Sequence, residues 1–535
     1  MNTVIFEPLK EFNEKLKDLH LENTTRFFEG LVTQSGVDVE ENKKTVAEYN
    51  VYKENLAQLK RKLNWHRVLR VLMCITLILI PLVIWKTTPK IKELREAVAA
   101  ADAKAEELLA LAYQQMLPLN GLFTDRDSLQ LIQQTVPLLS FDACFSVERE
   151  EDMKTNYDFD PYGDNEESTL EVLSGAYNEN PFLFENRLIH TMGTETYHGY
   201  KNISWVETYR DSNGKLQTRT RHETLHASVV KPKPFYNTQV MLNYGSQGAP
   251  DLSFSRDASH LEQKGERALE RHLKKGEKKL KLLTDKAIRE NDDFTSMANT
   301  DFEVLFDALD RTDEVQFRSL FTPLAQTNMA ALILSKVGYG DDFHFIKRRR
   351  MNHILTNHSQ GRAMILAAKE YPSYSFDVIR DNFIQKNAEF FKAVYFDFAP
   401  ILAIPAYQER PVHSLKPIPD YSQCYSLKEC ETLANAVDQS YVVHPETKTP
   451  AILKSTFVES RNKTDKTCIT AYSYDIAQRV DVVSVRGGDG KYHNVAVTWD
   501  EYLPLVANNE FYVTARNLAQ NQSIMASRNG LCIYR

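Results

Sequence analysis

Cysteine is scarce in this chain: six residues in 535. Cys74, Cys144, Cys424, Cys430, Cys468 and Cys532 are irregularly spaced, and no disulfide framework can be read from them. Cys424 and Cys430 stand wider apart than a usual pair of structural zinc ligands. A single bridge between them is open if that part of the chain faces an oxidising compartment. A dominant charge is missing as well. Lys and Arg number 65 against 72 Asp and Glu, a formal net charge of -7. The chain as a whole therefore lacks the basic excess that nucleic-acid binding draws on, and nucleic acid is not an expected partner. Familiar catalytic signatures are also missing. Gly245-Ser246-Gln247-Gly248 does not bracket its serine at the spacing of a nucleophile elbow. Gly338-Tyr339-Gly340 lacks the third glycine of a dinucleotide site, and there is no P-loop. No cofactor is implied by any motif.

Long uncharged runs are rare too, which makes the exception informative. Val68 to Trp85 reads VLRVLMCITLILIPLVIW, and from Val71 to Trp85 nothing is charged and only Thr76 is polar. At about 1.5 Å rise per residue, such a run with its flanks just crosses a hydrocarbon core of roughly 30 Å. Lys60, Arg61, Lys62, Arg67 and Arg70 form a basic collar before it, and Trp85 marks its far edge. It begins too far into the chain for a cleaved signal peptide. The expectation is one transmembrane helix over 68–86, kinked at Pro81, making a single-pass protein of the inner or plasma membrane with the lipid bilayer as a partner. Between residues 51 and 70 there are six Lys or Arg, and between 86 and 105 there are five. That near-tie tilts the N-terminus only slightly towards the cytoplasm.

The remaining patterning predicts an α+β protein, with helices around the span and antiparallel sheet in the soluble domains. Residues 1–67 read as a helical N-terminal region and 87–117 as a helical stalk. Residues 118–260 read as a β-rich domain, 261–290 as a basic amphipathic helix and 291–405 as an α/β part. A proline-rich linker over 406–419 leads to a C-terminal α+β domain over 420–535. In the stalk, Ile91, Leu94, Val98, Ala101, Ala105, Leu108 and Ala112 fall on alternating steps of three and four. Such a seam (91–112) either forms a coiled-coil homodimer or packs on its own domain. Strands are expected at Ile189–Thr194, Asn202–Tyr209, Leu216–Val230 and Tyr236–Leu242, with Lys231-Pro232-Lys233-Pro234 ending the third. Asp301–Phe306 reads as extended, and Lys347–Arg350 as an exposed basic run. The acidic stretch 158–167 departs from the EF-hand pattern at Tyr162 and Thr169 and reads as a solvated loop.

Two groups of residues are candidates for chemistry. His222 and His226 lie four apart on one expected strand, so they share a face and form a candidate metal pair. The other reading makes them polar positions on the solvent side. In the basic helix, Leu269, Leu273, Leu280, Leu283 and Ala287 form an apolar stripe amid many cations. Lys274, Lys275, Lys278, Lys279 and Lys281 are its candidate membrane-surface contacts, each such cation near an anionic leaflet adding roughly 1 kcal/mol. The plainer alternative is a helix packed on the sheet with a solvated charged face.

Two blocks carry a resemblance: Gly199 to Leu242, a strand pair around a polar turn with glycine, and Asp301 to Ile333, in which Arg318, Leu320, Thr322 and Pro323 precede a helix. In their order and separation they resemble a bacterial membrane-associated family, domain-of-unknown-function family 3137. The chain departs from that family by the basic helix between the blocks and by 116 residues at its C-terminus. The resemblance implies a membrane-tethered α/β domain and assigns no catalytic residue. The leading expectation is thus a membrane-anchored scaffold or binding module. Its rivals are a metal-dependent enzyme using His222, His226 and nearby carboxylates, and a sensor of anionic lipid or envelope acting through the basic helix.

Overall fold

The computed structural model describes residues 4–75, 80–160, 165–210, 212, 214–290, 294–411, 425–461, 464–515, 523–528 and 531–534, without the side chains of 69–87. In chain order the helices are α1 (Pro8–Glu11), α2 (Lys17–Ser35), α3 (Val39–Ile75), α4 (Ile80–Asn120), α5 (Asp127–Thr135), α6 (Val147–Tyr157), α7 (Glu266–Glu290), α8 (Thr300–Phe306), α9 (Glu314–Leu320), α10 (Pro323–Leu334), α11 (Phe376–Leu402) and α12 (Leu427–Asn435). The strands are β1 (Leu139–Phe141), β2 (Glu167–Tyr177), β3 (Asn180–Arg210), β4 (Leu216–Gly245), β5 (Ser253–Arg256), β6 (Phe343–Arg348), β7 (Met351–Thr356), β8 (Ile452–Arg461), β9 (Thr464–Arg486), β10 (Tyr492–Ala515), β11 (Ile524–Arg528) and β12 (Leu531–Tyr534). The protein is α+β with two antiparallel sheets. The chain divides into a mixed unit of residues 1–9, 138–364 and 396–535, and a helical unit of residues 10–137 and 365–395.

The helical unit is built on an antiparallel pair. At its open end the Asn42 amide donates to the Ala112 carbonyl at 3.4 Å and to Gln115 Oε1 at 3.3 Å. Further along, Lys60 Nζ meets Asp102 at 3.3 Å, and beyond that Leu63 packs on Ile91 and Leu94 beside Leu59 and Val98. The expected heptad seam is therefore occupied by α3. Ile91, Leu94, Ala101, Ala105, Leu108 and Ala112 are all buried, and the alanines allow close approach of the two helices. α4 runs through Pro89. Gly36, at φ 64°, ends α2 in the left-handed region that glycine enters without steric cost. An aromatic core of Phe28, Phe123, Tyr371, Phe376 and Phe383 closes the unit with Met116, Leu119, Leu131 and Ile379.

Among the described residues no helix is long and apolar enough to cross a membrane. The expected span falls on the end of α3 and the start of α4, and its middle, residues 76–79, lies outside the described residues, as do Cys424 and most of the expected linker.

The mixed unit carries both sheets. One has the order β1-β2-β3-β4-β7-β6-β5, the other β11-β12-β10-β9-β8. Aromatic residues dominate the first core: Phe254, Phe302, Phe306, Phe317, Phe321 and Phe345 pack ring on ring. The second sheet packs Leu453, Ile469, Phe511, Val513 and Ile533 against Cys430 and Leu433 of α12. Cys430 is a free thiol, pushed up to about 12 by burial.

Three local expectations are corrected. The strand pairs expected in 189–242 are two long single strands, and β4 runs straight through Pro232 and Pro234, opposite Thr194 and Met192. Both prolines sit two apart on a strand whose other edge is unpaired there, since β7 joins β4 only from Leu242 to Gly245. Their missing N–H groups therefore cost the ladder nothing. Asp301–Phe306 is helical, started by Asn299, whose side chain accepts from the Phe302 N–H. Phe302 through Phe306 are all buried, so no alternation of faces marked the period. Lys347 is not exposed, being only 1% accessible on β6.

Candidate functional site

The longest strands create the most distinctive surface. Thr191–Arg210 of β3 pairs only with Leu216–Phe235 of β4, and Ser473–Arg486 of β9 only with Tyr492–Leu505 of β10. At about 3.3 Å per residue these two-stranded ribbons extend roughly 65 and 45 Å. An isolated two-stranded ribbon is marginal in water, because one face has nothing to bury against. Here each ribbon supplies the other's missing layer. Ile203, Leu225 and Ala227 meet Val495 and Val497, flanked by Tyr197, Trp205, Val229, Val483 and Val485. At Gly199 an added Cβ would lie 2.2 Å from the Ala496 carbonyl oxygen, so the two backbones touch where the side chain is absent. Polar ties fix the register. Lys201 Nζ donates to the Asn494 carbonyl at 3.0 Å, and the Gly488 N–H donates to Glu223 at 2.6 Å. Lys231 lies 4.1 Å over the Trp499 ring and 2.6 Å from Asp481, which also accepts from Trp499 Nε1 at 3.0 Å.

Period-2 alternation then dictates what faces outward. Tyr200, Val206 and Val230 project from one ribbon and Val480 and Val482 from the other, each more than half exposed. His222 and His226 lie on the same outward side of β4. The structure brings His226 not to His222 but to His198 of β3: His198 Nδ1 and His226 Nε2 stand 2.9 Å apart, with the Tyr200 ring against His226. His222 lies across from Ser204. Among the described residues no three His, Cys, Asp or Glu side chains gather around a common metal position.

The basic helix forms as α7. Leu280 and Ala287 are buried, and Gly276 sits where a Cβ would strike Val304. At 100° per residue the opposite side carries Arg271, Lys275, Lys278, Leu282 and Arg289. Leu282 is 67% exposed amid these cations. Lys274, Lys275, Lys278, Lys279 and Lys281 are all exposed. Lys279 pairs with Asp307 at 3.5 Å and Lys281 with Glu277 at 2.9 Å.

Two polar clusters were not foreseen. His358 has Nδ1 2.6 Å from Asp342 and Nε2 3.3 Å from Asp397, and the Tyr339 ring stacks on it at 3.7 Å. Asp397 also accepts from Thr356, Ser359 and Arg362. Both ring nitrogens are engaged and a face is covered, so the cluster joins three chain segments rather than presenting a free base. The second cluster runs across the first sheet. His353 Nδ1 lies 2.6 Å from the Asn243 side-chain oxygen, Asn243 donates to Glu185 at 2.7 Å, and Glu185 pairs with Lys428 of α12 at 2.8 Å. Burial alone would raise the Glu185 carboxyl, yet Lys428 and Arg187 hold it below its ordinary value. Burial pushes His353 down to about 4. Positions 342, 358 and 397, or 185, 243, 353 and 428, share no spacing that a sequence pattern would display.

No family model, curated protein or solved structure matches this chain. Its class accordingly rests on the architecture described: an α+β protein that joins a long antiparallel helix pair to a stacked β-ribbon arm.

Proposed function

We propose that this protein is a membrane-anchored binding module, with the apolar run of residues 68–85 as anchor and the stacked-ribbon arm as binding surface. The arm is the observation that carries the reading. It is long, it is held by its own inner core, and it displays aromatic and aliphatic side chains outward on both ribbons. Such exposed residues on a rigid element suit partner recognition. The basic residues Lys60, Arg61, Lys62, Arg67 and Arg70 before the apolar run, and Trp85 at its far edge, support the anchor. The helix seam of 91–112 is filled by α3, which favours a packed helix pair over a dimerising stalk. A metal-dependent enzyme built on His222 and His226 has less support, since His198 and not His222 is the neighbour of His226.

The test uses the full chain. It is expected to float with membranes, and Leu72→Asp with Val83→Asp is expected to release it. A photo-crosslinker at Tyr200 or Val482 is expected to give a discrete adduct in membranes, while one at the inward Val497 gives none. Absence of adducts from both outward positions would remove the arm as the binding surface.

A second reading has its own observation in Leu282 of α7, exposed among Arg271, Lys275 and Lys278. That arrangement favours contact of the basic helix with anionic headgroups. Liposome flotation comparing the chain with Lys275→Glu and Lys278→Glu, both on the anchor-disrupted background, tests it. Equal flotation of the two would reject it.

A further inference from the structure

We infer that the anchor is a helical hairpin that enters one leaflet and returns, placing both flanks of the apolar run on the same side of the membrane. This inference rests on the membrane-anchored reading and replaces the single crossing with a re-entrant one. Three observations lead to it.

The first is the register of the helix pair. Asn42 meets Ala112 and Gln115, Lys60 meets Asp102, and Leu63 meets Ile91 and Leu94. Each of these pairs is centred in sequence close to residue 78, give or take about three positions, which is the middle of the apolar run. A helix that carries the chain across a bilayer sends its two flanks apart. The flanks of this run instead lie side by side.

The second is length. The uncharged part, Val71 to Trp85, holds 15 residues. As one helix it would reach about 22 Å, so a single crossing of roughly 30 Å would have to draw in flanking residues, Arg70 and Lys86 among them. Folded into two antiparallel arms it would reach about 11 Å, which fits within one leaflet of about 15 Å.

The third is charge. A single span is oriented by an excess of Lys and Arg on one flank. Here the flanks carry six and five, nearly equal. In a hairpin that equality has a physical reason, because Lys60, Arg61, Lys62, Arg67 and Arg70 on one helix and Lys86, Lys90, Lys92 and Arg95 on the other would meet the same anionic surface. Each such residue near the headgroups adds attraction to an anionic leaflet.

The experiment places one cysteine at a time in the full chain with native cysteines replaced by serine: Glu54→Cys on α3 or Glu96→Cys on α4, both exposed positions. Intact cells are treated with an impermeant maleimide, then lysed and treated again, and the membrane fraction is floated. The hairpin requires both positions to label alike, together in intact cells or together only after lysis, with a ratio near one. Labelling of one in intact cells and of the other only after lysis, in a chain that floats, overturns the hairpin and leaves the anchored reading standing. A chain that does not float overturns both.

Discussion

Two long antiparallel pairs dominate this molecule, one of helices and one of stacked ribbons, and they solve the same problem by opposite means. The α3–α4 pair needs only a thin seam of leucine, isoleucine and alanine, because each helix satisfies its own backbone hydrogen bonds. A helix therefore needs no water to complete its backbone hydrogen bonds. A β-ribbon satisfies only the edges that face its partner strand, and it gains stability only when a face is covered. The two ribbons cover each other, and their free edges stay in water. The lesson is that backbone self-sufficiency decides which of the two extended devices can do without a covering layer and which needs one.

The sharpest way to break that comparison is to force the ribbons apart. Gly199→Val places a branched side chain where the Ala496 backbone already stands. We expect a loss of several kcal/mol, read as earlier unfolding in urea and faster amide exchange at Ile203, Leu225 and Val497, with α3 and α4 unaffected. Next in size, Leu63→Ala in the helix seam removes a buried side chain with an expected loss of about 2–4 kcal/mol, seen as faster exchange along α3 and α4 only.

Acid titration compares the two units directly. His20, on α2, is held down to about 4 by burial, and His353 of the sheet likewise. The unfolded chain takes up a proton at each near its ordinary value of 6.5, while the folded chain declines it until about pH 4. Stability should therefore fall as pH drops from 6.5 towards 4 and level off below, by up to about 1.4 kcal/mol per pH unit for each histidine. His20→Gln should remove the acid-sensitive component from the helical unit alone, measured by amide exchange at pH 7 and 4.5. The smallest effect belongs to Lys60→Ala. Its pair with Asp102 is about half exposed, so under 1 kcal/mol is expected, fading with added salt.

The sequence already showed the elements whose period is strong. The seam from Ile91 to Ala112, the stripe of α7 and the strand character around Trp205 and Leu225 all appear where expected. What escaped it has physical causes. Pro232 and Pro234 read as a stop because proline excludes a central strand, whereas this stretch has an open edge. Lys347 read as exposed because three arginines follow it, yet β6 turns it inward, where it donates to the carbonyls of Gly248 and Arg349. The stacking of one ribbon on the other joins residues nearly 300 positions apart, as Lys201 with Asn494, and no local pattern encodes such a meeting. Of the candidate site residues, His226 found a neighbour in His198, which lies 28 positions away across a hairpin whose register the turn sets.

The two prolines of β4 have a consequence beyond the strand that carries them. A ribbon this long, with open edges and exposed valines, is the kind of surface on which copies of a chain zip together into extended sheet. At Pro232 and Pro234 two successive outward positions have no hydrogen to offer a newcomer. A strand arriving there would leave its own carbonyls unanswered, so growth in that direction stalls at its base. The arm can thus be long and apolar on its faces while remaining inert along that edge, so exposure of side chains and growth of sheet are uncoupled within a single strand.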